Sequence, residues 1–180
     1  DGFQFLDTGR SLAQTAAITL ATFGGGLLGP DNRFSLPQQG LSLDGPPNWR
    51  GEQTVGAHLF ELRWKCPFAQ GRLWVRGLRP PAGVGRWTRP YAEQMLARIL
   101  AMNGLQLDEL PPWRPAADGS GFATRTLTLG GDSARKGWSG TPRILRIAFR
   151  DDVLVIMDGC HREARAKEDL EQSMATLASR

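Results

Sequence analysis

The chain has 180 residues, an apolar fraction of 41%, a charged fraction of 22% and a formal net charge of +4. These values fit one globular domain with room for an added N-terminal segment. They argue against an extended nucleic-acid track, because the charge is small and the second half of the chain is balanced. Two cysteines without a C-x-x-C, and two histidines, exclude a zinc site of familiar spacing. The basic residues are almost all arginine, with lysine only at positions 65, 136 and 167. Arginine suits forked contacts to carboxylates and phosphates and stacking on aromatic rings, though a GC-rich genome gives the same bias.

Asp1–Asp7 alternates Phe3 and Phe5 with polar residues, and Ser11–Pro30 then carries no charge. That run matches a membrane span in length. Gln14, the repeated threonines and Gly24-Gly25-Gly26 make it weakly hydrophobic, so a small-residue helix or loop packed on the body is expected. The triple glycine lacks the Lys-Ser/Thr of a phosphate loop and reads as a joint. Residues 1–32 thus form an N-terminal segment and 33–180 one domain. Phe34-Ser35-Leu36-Pro37 and Leu41-Ser42-Leu43 are short extended pieces, followed by a turn at Asp44–Pro47 and by Trp49. Ala57–Lys65 and Gly71–Leu78 alternate as strands, joined by a hairpin loop over Pro67–Gly71.

Thr88 is placed to cap a helix with Pro90 in its first turn. Tyr91, Met95, Ile99 and Met102 recur at helical spacing, and Asn103-Gly104 ends the run. Leu105–Leu110 reads as a short strand, Pro111–Ser120 as a loop and Phe122–Leu129 as a strand. Gly130–Pro142 is a long polar loop. Arg143–Arg150 puts Leu145, Ile147 and Phe149 on one face and Arg146 and Arg150 on the other. Asp151-Asp152 breaks the strand, and Val153–Met157 is apolar on both faces, as a covered central strand would be. Glu163–Ser179 places Ala166, Leu170, Met174 and Leu177 on one helical stripe. The expected fold is α+β: one antiparallel sheet covered by helices over Thr88–Met102 and Glu163–Ser179.

Phe34-Ser35-Leu36-Pro37 with Leu43 and Pro47-Asn48-Trp49 resembles the opening of the PsbP-like superfamily. Tyr91-Ala92-Glu93 in the first helix and the closing Ser173-Met174-x-x-Leu177-x-Ser179 are similar to it as well. The resemblance spans residues 33–180. It implies an α/β/α sandwich and a non-catalytic accessory role, as in photosystem subunits, envelope lipoproteins and chaperones of secreted toxins. It carries no catalytic residues, because the family has no common catalytic set.

No motif assembles a reaction centre. Gly137-Trp138-Ser139-Gly140 is one residue short of a nucleophile elbow and reads as a turn. Asp151 and Asp152, adjacent on a strand, would point to opposite faces rather than act as paired carboxylates. Cys160-His161 lacks the geometry of a thiol dyad, and His58 reads as an edge histidine. Glu163–Lys167 and Arg165–Asp169 read as solvated helix pairs. Cys66 and Cys160 are either one disulfide or two buried thiols.

One stretch stands out. Leu62–Ala92 contains no acidic residue. It interleaves arginines with tryptophans, which fits either a solvated strand face over core tryptophans or a binding surface. The candidate partner-binding residues are Arg63, Trp64, Arg72, Trp74, Arg76, Arg79, Arg86, Trp87 and Arg89, with Lys65 in the same window. The expected activity is protein binding without catalysis, cofactor or metal, to an acidic or apolar segment of an effector, toxin or envelope component. The alternatives are a nucleic-acid or anionic-lipid binding module, with Trp on bases or at the membrane interface, and an enzyme with a dispersed site. A periplasmic or envelope location is expected over a cytoplasmic one.

Overall fold

The structure, a computed structural model, describes residues 26–54, 58–67, 71–102, 110–116, 119, 121–130 and 141–179. Most of the uncharged N-terminal run, the centre of the Pro67–Gly71 hairpin, the Asn103-Gly104 stop, the strand expected at Leu105–Leu110 and the Gly137–Gly140 turn lie outside the described residues.

The described chain is α+β. Its strands are β1 (Leu27–Leu28), β2 (Arg33–Leu36), β3 (Leu41–Asp44), β4 (Arg50–Thr54), β5 (Phe60–Lys65) and β6 (Gly71–Leu78). Helix α1 (Arg89–Met102) follows, then β7 (Arg114–Pro115), β8 (Ala123–Leu129), β9 (Arg143–Arg150) and β10 (Val153–His161). Helix α2 (Ala164–Ala175) and β11 (Ala178–Ser179) close the chain. The expectation of one sheet is corrected to two. A seven-stranded sheet runs β4-β5-β6-β10-β9-β8-β7 and a four-stranded sheet runs β1-β2-β3-β11, with every pairing antiparallel.

Period-2 alternation splits the large sheet into two apolar faces. On one, Phe60, Leu62, Trp64, Leu73, Val75, Val155 and Met157 meet the small sheet and Leu170, Met174 and Leu177. On the other, Leu127, Leu129, Leu145, Ile147 and Leu154 meet Ala92, Leu96 and Leu100 of α1. Val153–Met157 has both faces covered, as its unbroken apolar run requires. In α1 the buried stripe is Ala92, Leu96 and Leu100, whereas Tyr91 is partly exposed and Met102 is 86% exposed. The expected stripe was one residue off, because two adjacent stripes share the same spacing and the sheet took the one where alanine allows close approach.

The residues just ahead of β2 pair with it in the small sheet. Leu27 and Leu28 pair with Ser35 and Phe34. Asn32 joins the two sheets: its Nδ2 donates to the carbonyls of Pro46 and Trp49 at 3.0 and 3.2 Å, and its Oδ1 accepts from Trp64 Nε1 at 2.6 Å. Gly45 and Gly51 flank this junction, where an added Cβ would fall 2.2 and 2.6 Å from Trp64 Nε1.

Helix α2 keeps its predicted buried stripe but ends at Ala175 rather than Ser179. Ser173 Oγ donates to the Asp44 carbonyl at 2.6 Å, and Thr176 Oγ1 accepts from Asp44 N at 2.9 Å. That clamp turns the chain so that Ala178 and Ser179 pair with β3. Trp49 also ties α2 down, its Nε1 donating to Asp169 Oδ2 at 3.0 Å.

Candidate functional site

The same alternation that buries Leu62 and Trp64 turns Glu61, Arg63 and Lys65 to the opposite face of β5. In β6 it turns Arg72, Trp74 and Arg76 the same way, and in β10 Asp158 and Cys160. Helix α1 packs on this face over β8, β9 and the start of β10. Among the described residues no helix lies over its β4–β5–β6 portion, where Arg50, Arg63, Lys65 and Arg72 are exposed. The result is an uncovered ledge of basic side chains.

Trp74 is its centre. The Arg76 guanidinium lies 3.4 Å from the Trp74 ring centroid and that of Arg63 5.0 Å from it. Two cation–π contacts of about 0.5–1 kcal/mol each hold the stack at a partly exposed site. Glu61, buried under the ledge, fixes both cations: Arg63 Nη2 lies 2.7 Å from Oε1 and Arg76 Nε 3.5 Å from Oε2. Beside the stack, Arg72 Nε donates to Cys160 Sγ at 3.3 Å, and Lys65 Nζ lies 3.7 Å from Glu52 Oε2. Asp158 is held by Arg143, whose Nε donates to Oδ1 at 3.1 Å while Nη2 bonds Oδ2. A cleft of about 280 Å³ opens here, lined by Arg63, Lys65, Arg72, Trp74, Asp158 and Cys160 among others.

The nine candidate residues separate into four places. Arg63, Arg72, Trp74 and Arg76 form the ledge. Trp64 and Trp87 do not belong to it: they are 0% and 3% exposed, so no partner reaches them. Trp64 holds Asn32, and Trp87 pins the 79–88 loop to the sheet, its Nε1 donating to the Leu78 carbonyl at 3.1 Å. Arg79 and Arg86 are exposed on that loop, at the far end of β6 from Arg72. An eight-residue strand is about 25 Å long, so they do not share a contact with the cleft.

Arg89 sits in a separate cluster. Its Nε bonds Glu93 Oε1 at 3.1 Å, and the same oxygen accepts from Trp113 Nε1 at 3.2 Å and lies 3.7 Å from Arg125 Nη2. Arg89 and, to a lesser degree, Trp113 hold the Glu93 carboxyl below its ordinary range. This cluster borders a second open groove, of about 490 Å³, lined by Trp113, Arg114, Phe122 and Phe149 with Arg89.

Three ledge residues were missed. Arg50 lies in a strand with no apolar residue to mark it, and Asp158 and Cys160 were read as lying beyond the end of a strand that in fact continues to His161. Cys66 and Cys160 are free thiols. They lie on opposite faces of the sheet: Cys66 packs toward the α2 side, where burial, with Asp169 and Glu163 nearby, pushes its thiol pKa up. The disulfide alternative is therefore corrected. Among the described residues no group of three His, Cys, Asp or Glu side chains is placed to hold a metal, and no helix is long and apolar enough to cross a membrane.

The fold and ledge define an α+β domain whose large sheet carries a basic face that no described helix covers. No protein-family model matches the chain, and no curated protein matches it. A crystal structure from Bacteroides thetaiotaomicron VPI-5482 is similar with a TM-score of 0.48 at 15% identity, over 86% of this chain and 49% of that one. The chain thus spans about half the length of that protein.

Proposed function

We propose that the protein is a non-catalytic binding domain that takes an acidic protein partner on the open ledge of its large sheet. The observation that carries this reading is the Arg63–Trp74–Arg76 stack on a face that elsewhere lies under α1. Guanidinium groups held in place by an aromatic ring and a buried carboxylate lose little freedom on meeting a partner's carboxylate, and such fixed cations recognise it in a forked geometry. The nucleic-acid alternative is less well supported. Base stacking needs an open ring face, and two guanidinium groups already lie over the Trp74 ring.

The resemblance in Phe34–Pro37 and Pro47–Trp49 supports the finer assignment to a PsbP-like α/β/α sandwich, with Trp49 serving to seat the closing helix. It also supports placing the protein among accessory components of the bacterial envelope or of a secretion system.

The test is capture of partners from native lysate, identified by mass spectrometry, with wild type and an Arg63→Gln, Arg76→Gln double variant whose circular dichroism is unchanged. The variant is expected to lose the acidic protein captured by wild type. Equal capture by both would overturn the reading. Captured nucleic acid that is released above about 0.2 M salt would replace the protein partner with a polyphosphate one.

A further inference from the structure

One cross-strand row of the ledge has a composition that packing does not require. Arg50 on β4 pairs with Lys65 on β5, Lys65 with Arg72 on β6, Arg72 with Cys160 on β10, and Cys160 with Arg143 on β9. Arg50, Lys65 and Arg72 are its exposed members, three cations side by side across three strands with no carboxylate in the row, while Cys160 and Arg143 are buried. Like charges directly opposed in an antiparallel pair are destabilising. Lys65 is met from the next row by Glu52, and Arg143 by Asp158. Arg50 is exposed and forms no ion pair among the described residues.

We infer that the exposed part of this row, Arg50, Lys65 and Arg72, is the track on which an extended acidic peptide segment docks, lying across the strands rather than adding to the sheet edge. The inference rests on the protein-binding reading above and names its partner's chemistry and orientation. Strands lie about 4.8 Å apart, so the three open strands give a track of about 10 Å, the length of about three extended residues. The next row mixes signs, with Glu52, Arg63, Trp74 and Asp158 in register. Carboxylates beside the track favour a segment whose acidic residues alternate with neutral ones over a polyphosphate charged at every unit. Among the described residues the exposed large apolar side chains are Leu27, Tyr91, Met102 and Leu110, and none lies on these strands, so the described ledge offers no aliphatic anchor for a bilayer.

The experiment measures fluorescence anisotropy of a labelled Glu-Gly-Glu-Gly-Glu-Gly peptide at low salt, against its glutamine counterpart, an oligothymidylate and anionic vesicles. The Glu peptide is expected to bind, and the Gln peptide to bind at least about tenfold more weakly, as the loss of several exposed ion pairs implies. Arg50→Glu with Lys65→Glu is expected to weaken the Glu peptide by a similar factor, while Arg79→Glu with Arg86→Glu leaves it within about twofold. No saturable binding of the Glu peptide by wild type overturns the inference, as does preferential binding of the oligonucleotide or the vesicles. If Arg63→Gln with Arg76→Gln weakens the peptide and the row variant does not, the row inference fails and the protein-binding reading stands. If neither variant changes binding, both fail.

Discussion

Trp64 sits inside the acid-free stretch, yet the structure makes it a joint between two sheets, and that difference is measurable. Its indole N–H is fully buried and finds its acceptor in Asn32 Oδ1 at 2.6 Å. Asn32→Ala leaves that donor unpaired, a loss of about 1–3 kcal/mol. It also removes donors from the carbonyls of Pro46 and Trp49, at about 0.5–1.5 kcal/mol each. Asn32 further adopts φ 65, where an alanine costs about 1–2 kcal/mol. The expected total is about 3–8 kcal/mol, a large part of the stability of a single domain. Asn32→Asp keeps the acceptor and tolerates the left-handed backbone, so its loss is smaller. Urea unfolding followed by far-UV circular dichroism measures both, with midpoints shifting at constant slope. Trp64→Phe combined with Asn32→Ala gives a coupling energy of about 1–2 kcal/mol if the two side chains act through one bond. An Asn32→Ala loss below about 1 kcal/mol, or additive effects in the double variant, would refute the junction.

Two further outcomes are expected. His161 is 8% exposed and its Nε2 has no partner among the described residues. Burial, then the Lys167 charge, lowers its pKa from 6.5, with Glu171 opposing. The unfolded chain therefore takes up the proton first: this contribution to stability is present above the ordinary imidazole value and is lost as pH falls below it toward the lowered folded pKa. His161→Gln is expected to flatten the acid limb of a stability–pH profile, and an unchanged limb counts against it. Alkylation in denaturant without reductant should add two labels per chain, because Cys66 and Cys160 are free; an unlabelled pair would contradict their placement on opposite faces.

Much of the fold was legible in the chain. Gly71–Leu78, Arg143–Arg150 and the Ala166–Leu170–Met174 stripe were read correctly because each element's apolar spacing is set by its own geometry, period 2 or about 3.6, whatever it packs on. Strand β4 was not legible, since Arg-Gly-Glu-Gln-Thr has no apolar residue: one face meets solvent, and the other joins the small sheet through the Gln53 amide, which accepts from Leu28 N at 2.9 Å and donates to the Gly26 carbonyl at 2.9 Å. Nor did spacing choose between the two stripes of α1.

The candidate site divides the same way. Sequence alone put Arg63 and Lys65, and Arg72, Trp74 and Arg76, on common strand faces, because alternation needs only the local backbone. It gave no means of telling Trp74 from Trp64 and Trp87, since burial depends on which face meets α2, the small sheet or α1. Cross-strand neighbours such as Arg50, Lys65, Arg72, Cys160 and Arg143 are distant along the chain. Strand order and register, which the packing of two sheets and two helices settles, brought them into one row.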